Sequence, residues 1–238
     1  MFFILTLLVC SLNFKLLTYI EYNPKTFPVN IHEQIDAGPP RGPTAFDVEH
    51  GRAFIYNYLN NSIIIAQEES LKLVPLNLKT SVYDILVDSD NIYLLLSYKG
   101  MILKLAKDYK IVDTIKFDIK GFPLSAFHFR KADKKIFLMC SLDPESVFDV
   151  STKSWLSYKN PKFLDSYYTV LGETADGGLF LARKDTIFIY KNRKIEFLLS
   201  LTEIPQFVEI LSPPYKVKSG HLYIFFSDEK GAGIYQIR

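Results

Sequence analysis

Cysteine is nearly absent from this chain. Only Cys10 and Cys140 occur in 238 residues, too few for a disulfide framework or a cysteine-rich metal motif. If the N-terminal segment carrying Cys10 is removed, Cys140 has no partner and reads as a small buried hydrophobe. Histidine is sparse as well: His32, His50, His128 and His221 are the full set, without a clustered metal signature. There is no excess charge of one sign. The formal net charge is +2, with lysine and arginine spread along the chain. A nucleic-acid binder shows a basic patch or stripe, so no nucleic-acid partner is expected. The densest basic cluster, Arg130, Lys131, Lys134 and Lys135, falls where a hairpin turn is predicted and reads as a solvated loop. A phosphate-binding glycine loop, a CxxC pair and a nucleophile elbow are all missing. So is any amphipathic helical pattern after residue 25.

One long apolar run is present. Residues 1–12 read MFFILTLLVCSL, and after Asn13, Phe14 and Lys15 apolar character resumes to Ile20. The uninterrupted run is too short for a transmembrane helix. It fits the apolar region of a secretory signal, but no positive charge precedes it and no clear small-x-small site follows. Leu7-Leu8-Val9-Cys10 resembles a lipoprotein cleavage box, with Val9 where a small residue belongs. An uncleaved anchor through Ile20, with Lys15 snorkelling, and a buried N-terminal strand are the alternatives. The expectation is a signal sequence or membrane anchor over residues 1–20 and a secreted or membrane-anchored, extracytoplasmic protein. Asn60-Asn61-Ser62 is a glycosylation triplet in a predicted turn.

What the chain has in quantity is strand-forming material. Aromatics reach 15% and hydrophobic residues 48%, enough for a packed core and suited to pleated, half-buried surfaces. After the Pro/Gly-rich residues 38–43 come short alternating segments bounded by Gly, Pro, Asn, Asp or Lys. They fall into sets starting near residues 44, 82, 125, 167 and 207, a spacing of about 38 to 43 residues. The first four sets hold four strands each. The fifth, read as residues 207–211, 221–227 and 233–238, holds three. This period matches one propeller blade. The fold class expected is all-β: a small β-propeller of about five four-stranded blades over residues 44–238. Residues 21–43 form a linker, in which residues 27–33 (FPVNIHE) alternate like a strand and are expected to complete the fifth blade.

Two stretches resemble blades of NHL-type propellers and their six-bladed relatives. One is Gly42-Pro43-Thr44-Ala45-Phe46-Asp47-Val48 with Phe54-Ile55-Tyr56 and Asn60-Asn61-Ser62-Ile63. The other is Ile85-Leu86-Val87-Asp88 with Asn91-Ile92-Tyr93-Leu94, and Asp176-Gly177-Gly178-Leu179-Phe180 is a further fragment. The resemblance covers about 80 residues well and implies the fold. It also implies an extracytoplasmic binding or interaction module. Metal-dependent enzymes of the group use several histidines and a carboxylate, a set these four histidines do not match.

Aligning the first strand of each set gives one polar column between apolar neighbours: Asp47, Asp84, His128, Thr169 and Glu209. Neighbouring strand residues face opposite ways, so these five are the candidate ligand-binding ring around the central channel. Counting back from the second strands instead aligns Asp84 with Ala45. Such a ring suits a hard cation such as Ca²⁺, or the paired acids of a carbohydrate-active hydrolase or lyase using Asp47, Asp84 and Glu209. Plain solvated channel lining is the simplest account. Trp155 reads as packing between blades and Glu173 as a turn residue. The leading expectation is a non-catalytic module binding a protein partner or small ligand, with no resident cofactor and with membrane attachment possible only through the N-terminus.

Overall fold

The computed structural model describes residues 14–28, 43–67, 70–78, 80–96, 100–132, 134–157, 168–206, 210 and 212–237. Strand β1 is Phe14–Glu21. Blade one is β2 (Pro43–Glu49), β3 (Arg52–Asn57), β4 (Ser62–Gln67) and β5 (Ser70–Pro75). Blade two is β6 (Val82–Asp88), β7 (Asn91–Leu96), β8 (Met101–Ala106) and β9 (Ile111–Lys116). Blade three is β10 (Phe127–Ala132), β11 (Lys135–Cys140), β12 (Asp143–Asp149) and β13 (Ser154–Ser157). Blade four is β14 (Thr169–Glu173), β15 (Leu179–Arg183), β16 (Thr186–Lys191) and β17 (Lys194–Ser200). Blade five adds β18 (Tyr215–Lys218), β19 (His221–Ser227) and β20 (Gly231–Ile237) to β1. Every sheet has four strands, paired antiparallel with their neighbours. The chain is a five-bladed β-propeller.

The hairpins form where the sequence supplies residues that tolerate positive φ. His50-Gly51 (φ 49° and 73°), Asn192-Arg193 (52° and 60°) and Ser219-Gly220 (49° and 77°) make two-residue turns. Positive φ at both central positions matches the strands' right-handed twist. Between blades, side chains on facing sheets interlock. Ala45, Tyr56 and Ile63 of blade one meet Ile85, Leu94 and Leu103 of blade two. Leu95 and Phe117 of blade two meet Phe127, Leu138 and Phe148 of blade three. Phe180, Ile187 and Leu199 of blade four meet Leu222 and Ile224 of blade five. Phe46, Ile55 and Ile64 of blade one meet Phe225 and Ile234 of blade five. Each fully buried side chain of this kind contributes about 1.5–3 kcal/mol by transfer from water. Among the described residues no such cluster joins blades three and four. Val170 and Leu181 of blade four pack with Tyr168, Leu179, Phe188 and Tyr190 of their own blade. Residues 158–167, which connect these two blades, lie outside the described residues.

Two expectations are corrected. The strand that completes blade five is β1, running antiparallel along β20 from the Phe14–Ile237 pair to Glu21–Gly231. It is not residues 27–33: Phe27 bridges Asn23 and is fully buried between blades five and one, and residues 29–33 lie outside the described residues. Residues 14–20 of the segment read as signal or anchor are thus strand. The inner strand of blade five is β18, because the tight Ser219-Gly220 turn pairs β19 directly with it; residues 207–209 and 211 of the stretch read as that strand lie outside the described residues. Among the described residues no helix is long and apolar enough to cross a membrane. Asn60 sits in the β3–β4 turn, but its Nδ2 donates to Thr26 O at 3.1 Å, so a glycan there would compete with that bond.

Candidate ligand-binding funnel

The inner strands β2, β6, β10, β14 and β18 line the central funnel. Distance from each hairpin fixes depth. Asp47 lies two residues before the Glu49–Arg52 pair, whereas Asp84 lies four before Asp88–Asn91 and His128 four before Ala132–Lys135. Asp84 and His128 therefore share one tier and Asp47 belongs to the next. On β18, Lys216 and Lys218 alternate with Tyr215 and Val217 and share a face.

The two aspartates are clamps between blades. Asp47 is 1% exposed and Asp84 is fully buried. Asp47 Oδ1 accepts from Val48 N of its own strand at 2.8 Å, and Oδ2 from Val87 N of blade two at 2.6 Å. Asp84 repeats the pattern one blade on: Oδ1 accepts from Ile85 N at 2.9 Å and Oδ2 from Phe129 N of blade three at 2.6 Å. Blade five supplies the counter-charges. Lys218 Nζ lies 2.9 Å from Asp47 Oδ2 and 3.1 Å from Glu49 Oε2, and donates to Val87 O at 2.5 Å. Lys216 Nζ reaches Asp84 Oδ1.

These contacts set the protonation chemistry. Burial pushes the Asp84 carboxyl up against the opposing pull of Lys216 and of the Phe129 amide. Burial also lowers Lys218, but the Asp47 and Glu49 carboxylates outweigh it and hold the ammonium above its ordinary value. His128 is pulled down to about 4 by burial, then by the charges of Lys216 and Arg130, so its ring is neutral at pH 7. Tyr215 is raised to about 12 by burial and by Asp84.

A cavity of about 570 Å³ opens from the funnel between blades three and four. Asp47, His128, Arg130, Lys131, Lys216 and Lys218 stand at its inner side. Phe137, Met139, Val147 and Leu156 of blade three and Val170 and Leu171 of blade four form an apolar wall, with Glu173 at the edge. Of the five ring candidates, Asp47 and His128 line this space and Asp84 sits behind Lys216. Thr169, at the start of β14, is half-buried and is not among the lining residues; Glu209 lies outside the described residues. Arg130 and Lys131 are strand residues of the wall, not loop residues, and Lys131 pairs with Asp88 at 2.6 Å. No three His, Cys, Asp or Glu groups among the described residues are placed to share a metal ion. Trp155 packs against Phe127 and Phe148 with Lys120 over its ring at 4.1 Å.

Sequence reasoning missed Lys216 and Lys218. The signal was present: a Ser-Gly turn before His221 marks a tight hairpin, and the four residues before it alternate as Tyr-Lys-Val-Lys.

No protein-family model matches the chain, and no curated protein sequence does. Its fold is similar to solved β-propellers. Virginiamycin B lyase from Staphylococcus aureus is 16% identical with a TM-score of 0.45, over 89% of this chain and 67% of that one. A DUF4221 family member from Bacteroides vulgatus is 12% identical at 0.49, over 95% and 98%. Myxococcus xanthus glutaminyl cyclase is 10% identical at 0.49, over 94% and 95%. The likeness is one of fold.

Proposed function

We propose that this chain is an extracytoplasmic, NHL-like propeller that binds a small ligand or protein partner at its funnel without chemistry. One observation carries the reading. Of the predicted ring, the carboxylates Asp47 and Asp84 have both oxygens engaged by backbone N–H groups and lysines, beside a cavity of about 570 Å³. That volume lies within the range of small-molecule sites. A glycosidase or lyase of the two-carboxylate kind needs both groups open to substrate, whereas these hold neighbouring blades together. The apolar run over residues 1–12 supports a location outside the cytoplasm. The reading includes no resident cofactor; Ca²⁺ is the ion to test.

The experiment combines melting with turnover. Wild type, Asp47→Asn and Asp84→Asn are melted with millimolar Ca²⁺ and with EDTA, and assayed on aryl glycosides and uronate polysaccharides. The expected result is a lowered Tm in both variants, no effect of Ca²⁺ and no turnover by any form. A variant with the wild-type Tm that has lost a wild-type turnover overturns the reading. Fractionation of expressing cells tests the location, and the protein in the cytosol refutes it.

A further inference from the structure

Counting donors and acceptors at the funnel floor shows which chemistry is left over. Lys218 Nζ has three hydrogens and three acceptors: Asp47, Glu49 and Val87 O. Asp47 and Asp84 each accept from two backbone amides and one lysine. Lys216 is different. Its ammonium also has three hydrogens, it lines the cavity with a side chain only 10% exposed, and among the described residues its one partner is Asp84, which leaves two donors. His128 lines the same cavity at the tier of Asp84, and no hydrogen bond engages its ring among the described residues. Arg130 follows two residues on, on the same face of β10, and adds positive charge to the lining, while Lys131 is paired with Asp88. Lys216 and His128 thus present donors at the inner end of the cavity, where Asp47 and Asp84 have both carboxylate oxygens engaged. A buried, partly satisfied ammonium is costly until an acceptor reaches it.

Farther from the axis the lining is mostly apolar: Phe137, Met139, Val147 and Leu156 of blade three stand there, with the Ser157 hydroxyl beside them and Glu173 at the edge. The cavity lies at the one junction where, among the described residues, facing blades share no apolar cluster. We infer that the funnel binds an amphiphilic carboxylate, its head accepting from Lys216 and His128 and its apolar body lying along the blade three–blade four cleft. This rests on the binding reading above and names its ligand class. Charge-assisted hydrogen bonds to the head supply orientation, and burial of the chain supplies most of the affinity.

The test is fluorescence titration of the full chain with cis-parinaric acid and, separately, its methyl ester. Saturable binding of one acid per chain, with the ester weaker by about tenfold or more, is the expected result. Lys216→Met should remove the preference for the acid. Because that change also strips Asp84 of its counter-charge, Leu156→Glu provides a second arm. Leu156 is 41% exposed, so the fold tolerates the change, and a carboxylate in the apolar wall should weaken the acid by about tenfold. Equal binding of acid and ester overturns the carboxylate assignment. Failure of both probes to bind a chain with the wild-type melt overturns the inference altogether. Neither result touches the non-catalytic reading, which only turnover overturns.

Discussion

Replacing Lys218 with methionine should be among the most damaging single changes in the funnel. The side chain is 11% exposed and its ammonium is the shared counter-ion of Asp47, which is 1% exposed, and Glu49. Methionine fills a similar volume, so packing changes little while two carboxylates and Val87 O lose their common donor. Removing one partner of a buried ion pair costs about 3–5 kcal/mol, because the charge left behind stays desolvated. For a domain of this size each kcal/mol lowers Tm by about 2–4 °C, giving a fall of roughly 6–20 °C. The assay is a reversible thermal melt at pH 7 followed by circular dichroism. Adding Asp47→Asn to Lys218→Met should restore part of the loss, since the second change removes one orphaned charge, and the double-mutant cycle should be clearly non-additive. A Lys218→Met melt within about 2 °C of wild type, the range of a neutral surface substitution, refutes the claim that this ion cluster holds blades one, two and five together.

Three other outcomes follow from the geometry. His128 sits at about 4 in the fold against 6.5 when unperturbed, so the unfolded chain takes up its proton first as pH falls. Its contribution is present above pH 6.5 and is lost on going down toward 4, by up to roughly 3 kcal/mol. Subtracting the stability–pH profile of His128→Gln from that of wild type should show this slope; parallel profiles refute it. Gly51 and Gly220 both have positive φ, but a Cβ at Gly51 meets open space whereas one at Gly220 would lie 2.5 Å from Ala175 Cα. Gly51→Ala should cost about 1 kcal/mol of backbone strain and Gly220→Ala distinctly more, and equal chemical-denaturation midpoints would contradict that. A chain starting at Tyr22 lacks β1 and exposes the β20 edge, so it should aggregate and lose its cooperative melt, whereas one starting at Asn13 should not.

The fold was legible because propeller blades are local. Period-two alternation, turn residues and a spacing near 40 are written within each repeat, and residues such as Asp88, Ser89 and Asn91 mark a hairpin without distant help. Closure was not legible in the same way. Residues 14–20 continue an apolar run that suits an export signal, and only pairing with Ile237 at the other end of the chain makes them a strand. The site was legible in part. Asp47, Asp84 and His128 stand out as polar positions on inner strands, but Lys216 is 132 residues from Asp84. No periodicity encodes that meeting. The difference of one tier between Asp47 and Asp84 comes from where each hairpin falls, two residues after the one and four after the other, which aligning the polar positions of the first strands does not resolve.

The partnership of β1 with β20 has a consequence for how the molecule is made. A ribosome delivers Phe14 before, and Ile237 after, all of blades one to four, so blade five has no complete sheet until those blades have been made. Blades one to four take their strands from contiguous stretches and can form as they emerge. The loop closed by this pairing contains the other four blades, yet closure entropy grows only logarithmically with length. The delay is therefore one of sequence, not of cost. Until β20 has been made, β1 is an unpaired strand, and in that interval the nascent chain is most open to pairing with a neighbour or to capture by a chaperone.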